Sequence, residues 1–203
     1  MRLLFNLLLC TAALHVHADQ IAPPLPALYA VTDVTPEDRL NIRAAPDGAA
    51  PILGTLAADT RGIEVIDFSL AGHWAQINTG ERTGWVALRY LRPDPAPQTA
   101  LGLPAGLQCF GTEPFWTMAF SDTPTIAYST PEGRAEYPIT SMSPQTGAIN
   151  LTEGGLRFAW LQNDTPVIAH ILPGKCTDGM SERGYALHYL DDQGARVGCC
   201  SLN

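Results

Sequence analysis

Apolar and polar residues alternate along most of this chain in short runs, and no stretch carries a helical stripe of useful length. Alternation with a period of two puts every second side chain on one face, the mark of a strand buried on one side. Between residues 28 and 93 five such runs stand out. Leu40-Asn41-Ile42-Arg43 sends Leu40 and Ile42 inward, and Ala44 to Gly48 then supplies turn residues. Ile52 to Leu56 follows, and Ile63 to Phe68 is the longest run. His73 to Ile77 and Thr83 to Ala87 read as a hairpin with Gly80 near its tip. Residues 107–203 read as seven or eight more strands. In Phe115 to Phe120, Trp116, Met118 and Phe120 share a face, and Glu153-Gly154-Gly155 and Asp191-Asp192-Gln193-Gly194 mark turns. Short antiparallel strands hide their edges by closing or stacking, so the second segment is expected to form a small up-and-down barrel. The fold class is all-β.

Two proline-rich stretches punctuate this pattern. Proline fixes φ and lacks a donor, so Ile21 to Pro26 and the region from Arg92 to Gly106 read as semi-rigid linkers without ladder strands. The expected organisation is a signal peptide at 1–18, a linker at 19–27, a first module at 28–93, a linker at 94–106 and a second module at 107–203. The signal rests on Arg2, the apolar run Leu3 to Leu14 and the small residues around Ala18. That run is shorter than the roughly 20 apolar residues of a membrane span, and no later segment approaches one. The mature protein is therefore expected to be periplasmic or secreted.

Charge and cysteines narrow the picture. A formal charge of −8 disfavours nucleic acid, whose phosphates need Lys and Arg. Without Cys10, four cysteines remain: Cys109, Cys176, Cys199 and Cys200. An even count on an export route points to disulfides, and the paired C-x-x-C knuckles of a zinc site are missing, so neither metal nor cofactor is expected. Neighbours on a strand point to opposite faces, so Cys199 and Cys200 should take different partners. Cys109 is expected to pair with one and Cys176 with the other. Which takes which stays open.

The first module resembles the bacterial SH3 domain family. The resemblance rests on Leu40-Asn41-Ile42-Arg43, Pro46, Ile52 to Leu56, Gly72 to Ile77, Thr83-Gly84-Trp85-Val86 and Tyr90-Leu91, in matching order and spacing. It implies a small, partly open barrel that binds cell-wall peptide or docks on envelope proteins and is not itself catalytic. Asn41, Arg43, Trp74 and Tyr90 are the candidate groove, offering rings and hydrogen bonds to an extended peptide. Trp85 is expected in the barrel core.

Three motifs mark the second module: Cys109-Phe110-Gly111-Thr112-Glu113-Pro114-Phe115-Trp116, Cys176-Thr177-Asp178-Gly179-Met180-Ser181-Glu182-Arg183 and Gly198-Cys199-Cys200. Together they resemble a family of uncharacterised bacterial envelope proteins and lipoproteins, which implies location more than activity. Glu113, Trp116, Asp178 and Arg183 are read as structural: Asp178 makes a turn, and Arg183 pairs with a carboxylate such as Glu113. Ser181 could be drawn with His170 or His188 as nucleophile and base, but no nucleophile elbow or H-E-x-x-H accompanies them. The leading expectation is a non-enzymatic wall-binding or scaffolding protein whose partner is cell-wall peptide or an envelope protein. Its rivals are an inhibitor of a wall-degrading hydrolase such as lysozyme, entering through the Cys176–Arg183 loop, and a wall hydrolase.

Overall fold

The structure is a computed structural model that describes residues 24–144, 151–152, 154–192 and 196–203. The expected signal peptide, most of the first linker, Glu153 and the Gln193-Gly194 turn lie outside the described residues. Among the described residues no helix is long and apolar enough to cross a membrane.

The first sheet contains β1 (Ala27–Val31), β2 (Arg39–Arg43), β3 (Ile52–Ala57), β4 (Ile63–Phe68), β5 (Trp74–Thr79), β6 (Arg82–Ala87) and β7 (Leu91–Pro93), with a 3-10 turn at Leu88–Tyr90. Its order is β3-β2-β6-β5-β4-β1-β7. Leu40, Ile42, Val65, Ile77 and Val86 fill its core. The alternating runs end up where their pattern puts them, with Leu40 and Ile42 inward. Two strands lie beyond the alternating runs: β1, whose five residues are mostly buried, and the short β7. Pro93 ends β7, so the second proline stretch does begin with a ladder residue. That is allowed because β7 is an edge strand. Buried Gly84 is required by close approach, since a Cβ there would run into Ile42.

The second sheet is a closed eight-stranded barrel of β8 (Gln108–Thr112), β9 (Phe115–Phe120), β10 (Thr125–Thr130), β11 (Gly133–Pro144), β12 (Leu156–Gln162), β13 (Thr165–Cys176), β14 (Tyr185–Asp191) and β15 (Val197–Ser201). Each strand pairs with its sequence neighbour, and β15 closes on β8. Trp116, Phe158, Trp160 and Tyr189 pack the interior. Trp116 needs two glycines beside it. A Cβ on Gly111 would strike its indole, and one on Gly198 would strike the Phe110 carbonyl and approach the same ring. The motifs around Trp116 and Gly198 therefore encode a seat for one large side chain.

Cys109 pairs with Cys200 and Cys176 with Cys199. The first bond is fully buried, joining the register partners that close the barrel. The second ties the end of β13 to β15 on the other face, as alternation along β15 requires.

The stretch at 94–106 is not a loose spacer. Leu103 is fully buried in the barrel's core cluster, together with Leu28 from β1. Further along the seam, Glu182 donates its N–H to the Glu81 carbonyl at 2.8 Å and accepts from the Thr83 N–H at 3.1 Å. The Asn78 side chain brackets Gly184, accepting its N–H at 3.0 Å and donating to its carbonyl at 2.8 Å. Lys175 pairs with Asp67 at 2.6 Å. Glu64 on β4 is buried and accepts from Ser201 Oγ at 2.5 Å and Leu202 N at 3.0 Å. The two sheets are thus joined by main-chain and side-chain bonds as well as by covalent connection.

Candidate functional site

On the first sheet β2 alternates, so Arg39, Asn41 and Arg43 point away from the core while Leu40 and Ile42 fill it. On β5, Ala75 and Ile77 are buried, which puts Trp74 on the outer side. The 3-10 turn after β6 then carries Arg89 and Tyr90 back past β5, held by bonds from Leu88 N to His73 O and from Thr32 N to Tyr90 O, both at 2.9 Å. These elements enclose a groove of about 570 Å³. All four candidate residues, Asn41, Arg43, Trp74 and Tyr90, line it.

The groove's polar groups are partly fixed in advance. Arg43 donates from Nη1 to the Ala50 carbonyl at 2.8 Å, so one arm holds the turn after β2 and the rest faces outward. The Arg89 guanidinium lies 4.7 Å from the centre of the Tyr90 ring and reaches its hydroxyl at 3.4 Å. Trp74 is half-buried, and its main-chain N–H donates to Ser69 Oγ at 3.2 Å. Arg39, Arg89, His73, Asp33 and Asp38 also line the groove and were missed in the sequence. Residues 33–38 fall between alternating runs, so no pattern pointed to them. Arg39, two residues before Asn41 on the outer face of β2, was within reach of the alternation already read.

Trp85 requires a correction. It lies between buried Gly84 and Val86 on β6 and so faces outward, half-buried, beside Arg43 and Gln76. A barrel core that needs glycine beneath Ile42 has no room for an indole from the same strand. Neither tryptophan of this module is in the core.

The motif residues of the barrel divide differently from expectation. Trp116 is interior, 4.7 Å from the Tyr189 ring. Asp178 does make its turn, accepting from Met180 N and Ser181 N at 2.9 Å each and from Ser181 Oγ at 2.7 Å. Partial burial opposes its charge, but these bonds, with the nearby Arg183 charge, outweigh that and hold the carboxyl below its ordinary range. The expected Glu113–Arg183 pair is not formed. Glu113 is exposed, and the Arg183 guanidinium sits 5.6 Å from the Tyr185 ring instead. The two motifs are joined by Thr112, whose hydroxyl donates to the Asp178 carbonyl at 2.9 Å. A buried bidentate pair would have left two carboxylate-sized groups to desolvate; one hydroxyl and a carbonyl do the same tethering with less.

Ser181 Oγ donates to Asp178 Oδ2 at 2.7 Å, and no hydrogen bond from it to a histidine is seen among the described residues. Among the described residues no three His, Cys, Asp or Glu side chains converge to hold a metal ion.

The groove and the seam share strands without overlapping. Trp74 and Asn78 lie on the same face of β5, four residues apart, which at a strand rise of about 3.3 Å per residue separates them by roughly 13 Å. The groove therefore stays open while the other end of the hairpin docks on the barrel. No curated protein and no solved structure matches the chain. Residues 38–92, from just before β2 to β7, match the family model of the bacterial SH3 domain, and it is to that family that the first module is similar.

Proposed function

We propose that this is an exported, non-enzymatic cell-envelope protein that binds an extended cell-wall peptide in the groove of its first module. The observation that carries the reading is the convergence of Asn41, Arg43, Trp74 and Tyr90 on one cleft. Its chemistry suits a short peptide: two rings to stack on, and amide and guanidinium donors for carbonyls. The family match at 38–92 supports a peptide- or wall-binding role, and two disulfides support an oxidising compartment.

The inhibitor reading draws less support. Met180 projects from the Cys176–Arg183 loop, but Glu182 in the same loop has both main-chain groups engaged by Glu81 and Thr83. A loop fastened there has little reach into another enzyme's cleft.

Titration of the protein with soluble wall fragments, followed by NMR, tests the proposal. Affinity should be modest, on the order of 10–1,000 μM, because a short peptide buries little surface against the loss of its own freedom. Trp74→Ala should weaken binding by about 1–2 kcal/mol. Absence of shifts at millimolar ligand, with the protein folded, would make the first module a spacer or a docking unit.

A further inference from the structure

The cations of this chain are unevenly used. Acidic residues outnumber Lys and Arg by 20 to 12. Arg61, Arg82, Arg134, Lys175 and Arg196 each form an ion pair with a nearby carboxylate. Three others, Arg39, Arg43 and Arg89, line the groove, and none of them is in an ion pair among the described residues.

Their remaining bonds differ. Arg43 is committed through Nη1 to the Ala50 carbonyl. Arg89 is oriented by the Tyr90 ring, which leaves most of its donors outward. Arg39 is exposed, and no hydrogen bond of its guanidinium is seen among the described residues. Two carboxylates, Asp33 and Asp38, also line the groove, but neither forms an ion pair with Arg39 among the described residues, and Asp38 accepts the main-chain N–H of Arg39 at 2.7 Å rather than its side chain. Two guanidiniums with open donors, flanking two aromatic rings in an otherwise acidic protein, form a local positive site aimed at the groove. A planar fork of donors is matched by a carboxylate.

We propose that the groove selects its peptide by a free carboxylate, engaged by Arg39 and Arg89, while Trp74 and Tyr90 take the neighbouring apolar part of the chain. This rests on the peptide-binding reading above and adds the ligand's charge: an acidic wall peptide binds more tightly than its neutral counterpart. The negative charge of the rest of the surface then works as a filter. It repels acidic polymers elsewhere and leaves the groove as the place where a carboxylate is welcome.

The experiment compares two synthetic tetrapeptides of alanine and glutamate, one with free carboxylates and one with every carboxylate amidated. Each is titrated into the full protein at low and at physiological salt, with the Trp74 indole and the main-chain amide NMR signals of the groove residues as readout. The free acid should bind roughly tenfold or more tightly than the amide, and added salt should narrow the gap. Arg39→Gln and Arg89→Gln should each weaken the acid about three- to tenfold and weaken the amide less, so that the gap between the two peptides narrows. Arg92→Gln, outside the groove, should change neither. Equal binding of acid and amide, both weakened by Trp74→Ala, would overturn carboxylate selection while leaving the groove a peptide site. Failure of both peptides and of wall fragments to shift Trp74 would overturn the peptide-binding reading and this inference with it.

Discussion

The two sheets solve the same problem, burying one face of short strands, by different means. The barrel closes on itself, so it has no edge; β9 alternates exposed and buried residues without a break, while β12, β14 and β15 each bury three residues in a row. The first sheet stays open, and its core holds no tryptophan. It borrows cover from its neighbour. On β4 four consecutive residues are buried, Ile63 and Val65 against the sheet's own core and Glu64 and Ile66 toward the barrel. An open sheet keeps a free face for a ligand at one end and accepts support at the other. The closed barrel instead fills its interior with aromatic rings and takes Leu28 and Leu103 into its core cluster.

The largest test of this contrast removes the staples. In the chain-entropy model, loops of 91 and 23 residues give about 4.6 and 3.4 kcal/mol for the Cys109–Cys200 and Cys176–Cys199 bonds. Cys109→Ser with Cys200→Ser should therefore unfold the barrel at a lower denaturant midpoint than Cys176→Ser with Cys199→Ser. The opposite ranking would mean that the outer bond, beside the docked loop, matters more than closure.

Glycines give the next comparison. A methyl at Gly198 meets the Phe110 carbonyl, which is main chain in a closed ladder and cannot retreat. A methyl at Gly84 meets Cγ2 of Ile42, the branch of a side chain that is stiff at χ1, so relief there needs β2 itself to shift, which an open sheet allows more readily than a closed ladder. Gly198→Ala should lose about 3 kcal/mol and Gly84→Ala about 1, read from equilibrium melts. Equal losses would show the first sheet to be as unyielding as the barrel.

The seam comes third. Glu64→Ala leaves Leu202 N without its acceptor and Ser201 Oγ with only the Asn203 carbonyl, and should cost about 1–3 kcal/mol. Glu64→Gln keeps an acceptor for Leu202 and, if the Ser201 hydroxyl turns, a donor for it, so it should cost less. Burial raises the Glu64 pKa, with Ser201, Leu202 and the Arg183 charge opposing. A raised value means that folding takes up a proton. Its contribution is complete below the ordinary value of 4.5 and fades as pH rises through the raised one. Wild type should then gain stability relative to Glu64→Gln as pH falls through that window. A relative loss would mean that the two hydrogen bonds outweigh burial and that the carboxylate is the favoured form.

The same contrast explains what could be read from the residues. Alternation located most of the first sheet and six strands of the barrel, β9, β10 and β12 to β15, but not β8 or β11. It also put Cys199 and Cys200 on opposite sides, and only the ring closure bringing β8 to β15 decided their partners. Four groove residues were legible through the family pattern. Arg39 and Arg89 were not, because exposed arginines carry no periodic mark. The seam was hidden for another reason: Asn78 sits in a hairpin where asparagine is ordinary turn chemistry, and nothing local tells that its amide brackets Gly184 more than 100 residues away. Ile66 was the available hint, an apolar residue on the side of β4 that an isolated sheet would leave wet.

The smallest expected effect separates two ways of tying the barrel's motifs together. Charge and spacing favoured a Glu113–Arg183 pair, whereas the loop is held by the Thr112 hydroxyl on the Asp178 carbonyl. Thr112→Val keeps the shape and removes the donor, leaving a partly buried carbonyl short of a partner, and should cost about 1 kcal/mol. Glu113→Ala removes an exposed side chain with no ion-pair partner among the described residues and should stay within about 0.5 kcal/mol of wild type. A double-mutant cycle between Glu113 and Arg183 should give a coupling near zero, and one between Thr112 and Glu113 should be additive. A loss at Glu113 larger than that at Thr112, with measurable coupling to Arg183, would restore the ion pair as the tether and place the Arg183 guanidinium away from the Tyr185 ring.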